Sequence, residues 1–168
     1  METMNSTAIS FRPVASADLD FLRAVYASTR QDEMALTGWS EAEIAAFLDL
    51  QFSFQHRQWL ETYKNASFAI VLWGDVPVGR LYIDQQPGHI RIIDLALLTE
   101  YRRRGIGRAI LTNLINEADR THCILSLHVE MNNPILSFYG RLGFQKICER
   151  GIHLYLERQP LSAIKEQK

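Results

Sequence analysis

Residues 90–107 read IRIIDLALLTEYRRRGIG. From Ile90 to Leu98 the chain is apolar except at Arg91 and Asp94, which predicts a central strand buried on both faces. Thr99-Glu100-Tyr101 and three consecutive arginines follow, then Gly105-Ile106-Gly107. From Gly105 to Arg120, Ile106, Ala109, Ile110, Leu114 and Ile115 recur at helical spacing. Cys123–Val129 is again strand-like, so Ile90–Val129 reads as a strand–helix–strand unit. Such a unit is expected to form a right-handed parallel crossover.

Outward from that unit, Ile9–Val14 reads as a short first strand. Ala15–Thr29 reads as a helix with Leu19, Leu22, Val25 and Tyr26 inward, capped by Ser16, with Asp18 and Asp20 at its positive end. Arg30–Trp39 has no period. Ser40-Glu41-Ala42-Glu43 has capping-box spacing and opens a second helix that persists to Tyr63, with a break expected near Phe52. Phe52, Phe54 and Trp59 read as core. Ser67–Trp73 and Val78–Asp84 form a hairpin around Gly74-Asp75-Val76-Pro77. Downstream, Pro134–Leu142 is a short helix ending at Gly143, and Phe144–Glu149 and Ile152–Leu156 form a last antiparallel pair. The tail Pro160–Lys168 is polar and expected to fray. The order β-α-α-β-β-β-α-β-α-β-β predicts an α/β (α+β) domain: a mixed sheet of about seven strands with helices on both faces.

The 168 residues suit one domain over 1–168, with an ordered core of about 8–158. A net charge of -1 speaks against nucleic acid as a partner, and the arginine triplet lacks the aromatic platform that would accompany such binding. No apolar run approaches the roughly 20 residues of a membrane span, and Met1–Ser10 lacks a signal-peptide core. Cys123 and Cys148 stand in apolar runs outside any metal-binding spacing, which reads as two buried reduced thiols and no metal. A cytoplasmic protein is the expectation.

The chemistry concentrates after Leu98. The first turn of a helix has backbone N–H groups without partners, and the helix dipole adds positive potential. Glycines at 105 and 107 leave the backbone open to a phosphate, and the arginines supply charge and forked donors. The spacing matches neither GxxxxGK followed by Ser or Thr nor GxGxxG in a tight turn. By itself the segment is a helix start able to hold a pyrophosphate.

Leu95–Gly107 also resembles the acetyl-CoA motif of the GCN5-related N-acetyltransferase (GNAT) family: a strand, then Gln or Arg, two residues, Gly, one residue, Gly or Ala, then a helix. Here those positions are Arg102, Gly105 and Gly107. A second segment, Leu127-His128-Val129, Asn132, Phe138-Tyr139 and Leu142-Gly143-Phe144, resembles the family's later signature, with Ile135 where the family carries alanine. The resemblance spans nearly the whole chain. It implies the GNAT fold, mostly antiparallel, with a splayed central strand pair. It implies acetyl-CoA as cosubstrate and transfer of its acetyl group to a primary amine in a ternary complex. Leu97 and Leu98 would pair with the pantetheine arm. The amides of Arg102, Arg103, Arg104, Gly105, Ile106, Gly107 and Arg108 would hold the pyrophosphate, and Asn132 would touch the cofactor arm, with a helix N-cap as its alternative or additional role. Tyr139 would be the general acid that protonates the leaving thiolate.

The base is left open. Arg91 stands where some relatives carry a glutamate, so Asp94, His128 and Glu130 are the candidates, with a water chain as an alternative. Glu33, Trp39, Tyr82 and Asp84 are candidates for the site of an unidentified amine acceptor. The resemblance allows a homodimer through the C-terminal strands. A non-catalytic acyl-CoA-binding or sensing module is the alternative function.

Overall fold

The computed structural model describes residues 8–161. Seven strands form one sheet in the order β1-β2-β3-β4-β5-β7-β6, and the sequence of elements is the one the periodicity predicts. The chain divides into two compact units, Met1–Leu81 with Leu95–Gly107, and Tyr82–Asp94 with Arg108–Lys168.

In the first unit β1 (Ile9–Pro13) pairs antiparallel with β2 (Ser67–Trp73). The chain turns into the first helix through one 3-10 turn at Ser16–Asp18. Asp18, not Ser16, organises this corner. Its buried carboxylate accepts from the Ala15 amide and from both Nη atoms of Arg12, each at 2.8 Å. These hydrogen bonds, Arg12's first, lower its pKa to about 2. Helix α1 then runs Leu19–Ala35, six residues beyond the expected end at Thr29. The apolar stripe continues to buried Met34, and an Arg30–Glu33 ion pair supports the added turns. The capping box forms as read: Ser40 Oγ accepts from the Glu43 amide, and Glu43 accepts from the Ser40 amide. Helix α2 (Glu41–Thr62) passes through Phe52 without a break, because Phe52 is buried against Tyr26 of α1, their ring centroids 6.0 Å apart. Leu22, Val25, Ile70, Val71 and Val78 are fully buried, each worth about 1.5–3 kcal/mol of transfer free energy. Phe54 departs from the expected core and is 67% exposed.

Strand β3 (Val76–Gln86) begins earlier than expected, so only Gly74 and Asp75 turn the hairpin. Strand β4 (His89–Leu97) is not buried on both faces. Ile90, Ile92 and Ala96 are buried, while Arg91, Ile93, Asp94, Leu95 and Leu97 are half-buried. Alternate side chains leave a strand on opposite faces, and one of the two carries Arg91.

In the second unit β4 pairs parallel with β5 (Ile124–Glu130), from His89↔Ile124 to Ile92↔Leu127. Among the described residues the ladder extends no further, although both strands continue, as a splayed pair requires. Helix α3 (Ile106–Arg120) connects them. A turn leads to α4 (Leu136–Arg141), which ends at Gly143 in a left-handed conformation (φ +94°). Strands β6 (Gln145–Arg150) and β7 (His153–Arg158) pair antiparallel, and β7 lies between β5 and β6. The start of the expected fraying tail is anchored: Pro160 is buried and the Leu161 amide donates to Asp119 Oδ1 at 3.0 Å. The rest of that tail, residues 162–168, and residues 1–7 of the N-terminal reading lie outside the described residues. Both cysteines are free thiols; Cys123 is buried but Cys148 only half-buried, because β6 is the sheet edge. Among the described residues no helix is long and apolar enough to cross a membrane.

Candidate active site

The arginine–glycine loop belongs to the first unit. The Leu98 amide donates to the Val78 carbonyl (2.9 Å), and a 3-10 turn at Thr99–Tyr101 carries the chain away from β4. Arg103 (φ 59°) and Gly105 (φ 81°) are both left-handed, and they wrap the chain around Arg104 just before α3. A side chain at Gly105 would meet nothing within 4 Å, so its glycine answers to backbone conformation rather than to space. A Cβ at Gly107 would touch only Leu97 Cδ1 at 3.8 Å.

The arginines divide by role. Arg102 Nε donates to the Leu97 carbonyl (3.0 Å) and its Nη2 to Ser28 Oγ (3.3 Å). Arg104 Nε donates to the Glu100 carbonyl (3.0 Å), and its guanidinium lies over Trp73 (5.4 Å) and Tyr101 (5.6 Å). These two hold the loop in shape. Arg103 is exposed and makes no side-chain hydrogen bond or ion pair among the described residues, and the same holds for Arg108 in the first turn of α3. Their charges are available to an anionic ligand. Ile106 is buried and anchors the helix start.

The second unit carries Tyr139, the residue expected to serve as acid, and the candidate bases. Tyr139, on α4, sets its ring edge-on against Phe144 at 5.6 Å. Burial, and then the negative charge of Asp94, raise its pKa above the ordinary phenol value, so it holds its proton. Asp94 of β4 thus lies near enough for its charge to act on Tyr139. His128 alternates with Leu127 and Val129 and stands on the other face of the sheet, at the surface, its ring 5.0 Å from Tyr155. Partial desolvation, and then the positive charges of Arg91, Arg150 and His153, lower its pKa below the ordinary histidine value. Glu130 is half-buried opposite His153. Asn132 is exposed and caps nothing. Its neighbour Asn133 accepts from the Ile135 amide (3.0 Å) and forms the turn into α4.

The acceptor candidates fall in different settings. Glu33 lies on α1, paired with Arg30 at 2.9 Å, rather than in a loop. Trp39 is 45% exposed and edge-on to Phe47. Tyr82 is fully buried, because that position on β3 faces the core, so it presents no surface to a substrate. Asp84 is half-buried and accepts from Gln86 Nε2 at 3.1 Å. Three residues that sequence reasoning passed over, Arg150, His153 and Tyr155, surround His128. Strand alternation placed them on one face, but only β-pairing could make them neighbours. Among the described residues no group of three or more His, Cys, Asp and Glu is placed to hold a metal ion.

The family model described as "Acetyltransferase (GNAT) family" matches residues 25–144. The chain belongs to this family. The GNAT match takes in the arginine–glycine loop, Asp94, His128 and Tyr139, and ends just before β6. N-alpha-acetyltransferase 50 of Danio rerio is 32% identical over 106 residues, a match that spans 59% of this chain and 62% of that relative. The PaiA N-acetyltransferase of Thermoplasma acidophilum, solved in complex with coenzyme A, shares the fold at 19% identity, with a TM-score of 0.66 over 90% of this chain and 99% of that one. So does Arabidopsis thaliana Naa50 in complex with the bisubstrate analogue CoA-Ac-MVNAL, at 18% identity and a TM-score of 0.53 over 89% of this chain and 96% of that one.

Proposed function

We propose that this GNAT-family chain is an acetyl-CoA-dependent N-acetyltransferase that modifies a primary amine. The observation that carries this reading is the Leu97–Gly107 loop, with its paired left-handed residues and exposed Arg103, inside a family match that also contains Tyr139. The loop amides and Arg108 hold the pyrophosphate, Leu97 and Leu98 pair with the pantetheine arm, and Asn132 contacts it. The amine nitrogen attacks the acetyl carbonyl, forming the C–N bond as the C–S bond breaks. The Tyr139 hydroxyl gives its proton to the departing thiolate. Of the three candidate bases His128 fits best, because its lowered pKa leaves the imidazole neutral and able to take the proton that the amine loses. Asp94 then serves Tyr139, keeping its phenol protonated.

The relative named N-alpha-acetyltransferase 50 supports a peptide α-amino group as the first acceptor class to try, with Trp39, Glu33 and Asp84 as acceptor-side contacts. Two free thiols suit action in the cytoplasm. Exposed Ile147 and Ile152 on the β6–β7 hairpin support a homodimer through those strands. The deciding experiment is coenzyme A thiol release from acetyl-CoA over a panel of peptides and small amines. Release that depends on an amine supports the reading. Tight acetyl-CoA binding without release on any acceptor would make the chain a non-catalytic acyl-CoA sensor instead.

A further inference from the structure

We propose that Arg102 is a positioning residue that couples the cofactor loop to the far end of α1. Coenzyme A, by anchoring the loop, then also steadies the helix turns that carry Glu33. The proposal rests on the transfer reading above and adds a link between its parts: the cofactor prepares one acceptor-side element. Every group it invokes lies in the first unit.

One side chain spans the two elements. Arg102 Nε donates to the carbonyl of Leu97, the last residue of β4, at 3.0 Å. Its Nη2 donates to Ser28 Oγ on α1 at 3.3 Å, across 74 residues of chain. Ser28 Oγ in turn donates to the Val25 carbonyl at 2.8 Å. A hydroxyl has one proton to give, so with that proton committed to Val25 it meets Arg102 as an acceptor. The guanidinium has donors only, and the chain of bonds therefore runs one way, from the loop into the helix.

Helix α1 changes character at this point. Val25 and Tyr26 are buried, so the core sets the helix up to them. Thr29 Oγ1 donates to the Tyr26 carbonyl at 2.6 Å, so two successive hydroxyls bond one turn back. Carbonyls that also serve the helix ladder are shared in this way, which loosens a helix locally. Beyond Thr29 only Met34 is buried before the helix ends at Ala35. Arg102 thus reaches α1 at the boundary between its core-held turns and its more exposed ones, and it starts from the loop proposed to hold the pyrophosphate. A ligand that pins the loop has already met the ordering cost of the Arg102 bond, so the hold on α1 tightens. By linkage, an acceptor that uses those turns gains what the cofactor gains from them.

Hydrogen exchange with coenzyme A itself as the probe tests this, and no acceptor is needed. Exchange of the backbone amides of the loop (102–107) and of the end of α1 (30–35) is compared with and without saturating coenzyme A. In the wild-type chain both segments are expected to slow, the end of α1 by about two- to tenfold, the range one hydrogen bond supports. Ser28→Ala removes the acceptor and is expected to keep the slowing in the loop but lose it at the end of α1. Ser28→Thr keeps a hydroxyl and is expected to retain both. Arg102→Ala, saturated with coenzyme A, is expected to match Ser28→Ala at α1. Each ratio is taken within one variant, so a change in the helix's own stability cancels. Slowing at the end of α1 that persists in Ser28→Ala or Arg102→Ala would overturn the coupling and leave the cofactor reading standing. So would its absence in a wild-type chain whose loop is slowed. No slowing of the wild-type loop would remove the cofactor reading and the coupling with it.

Discussion

Arg158 of β7 grips Asp119 of α3 with two parallel hydrogen bonds, 2.7 and 3.1 Å long, and donates its Nε to the Leu142 carbonyl at the end of α4. One side chain thus ties a strand to two helices, and Asp119 also accepts from the Leu161 amide. The Arg158 side chain is only 8% exposed and that of Asp119 21%. Leu142 lies three residues after Tyr139, so this pair fixes the end of the helix that carries the proposed acid. Removing either partner would strand a charge in a dry site. Arg158→Gln or Asp119→Asn is expected to cost about 3 kcal/mol, read as a lower urea midpoint. The arginine's hydrogen bonds depress the pKa of Asp119 against the opposing effect of burial. The contribution is therefore full above the ordinary aspartate value and is lost as pH falls through the depressed one. A wild-type urea midpoint that falls no more steeply through that range than the Asp119→Asn midpoint would contradict this.

Gly79 is the second point of leverage. A Cβ there would come within 2.2 Å of the Ala96 carbonyl oxygen and 2.7 Å of Leu97 Cδ2. Backbone cannot yield as a flexible side chain would, so β3 and the end of β4 must part. Gly79→Ala is expected to cost about 1–3 kcal/mol and to weaken coenzyme A binding, since Leu97 and Leu98 are displaced. Calorimetry and a denaturation curve on the same preparation check both effects.

Tyr139→Phe removes the hydroxyl and keeps the ring that packs on Phe144. If the phenol protonates the leaving thiolate, kcat falls by about a hundredfold or more while acetyl-CoA affinity stays within about twofold. Rapid-quench turnover set beside equilibrium binding separates the two effects, and an unchanged kcat would take Tyr139 out of the mechanism.

His128 makes a statement about pH. A base must be unprotonated to act, so kcat/KM should rise with pH through the histidine's pKa and level off above it. Because burial and neighbouring cations lower that pKa, the rise is expected to centre below about 6.5, the usual histidine value. His128→Gln should abolish that limb. If the limb persists unchanged in the variant, the base lies elsewhere.

Much of this was legible along the chain. The element order, the capping box at Ser40–Glu43, the left-handed end at Gly143 and the arginine–glycine loop rest on signals a few residues long, and local geometry bears them out. Errors fell where a distant residue decides. The length of α1 depends on Met34 finding a core, the continuity of α2 depends on Phe52 meeting Tyr26, and the corner at Asp18 depends on Arg12 from the preceding strand.

The kind of fold, and the loop motif proposed to hold the cofactor, were thus written locally, in hydrophobic period, turn residues and one loop motif, because those features act between residues close in the chain. The partners of Tyr139, His128 and Arg158 were not. Hydrogen bonding between strands places β7 between β5 and β6, and that order alone sets Arg150 and Arg91 over the same tyrosine. The division of the arginines, with Arg102 and Arg104 shaping the loop and Arg103 and Arg108 left exposed, likewise depends on carbonyls and rings supplied by other elements. Spacing can name the residues of such a site, but the pairing of strands and the closing of helices upon them settle which residues meet.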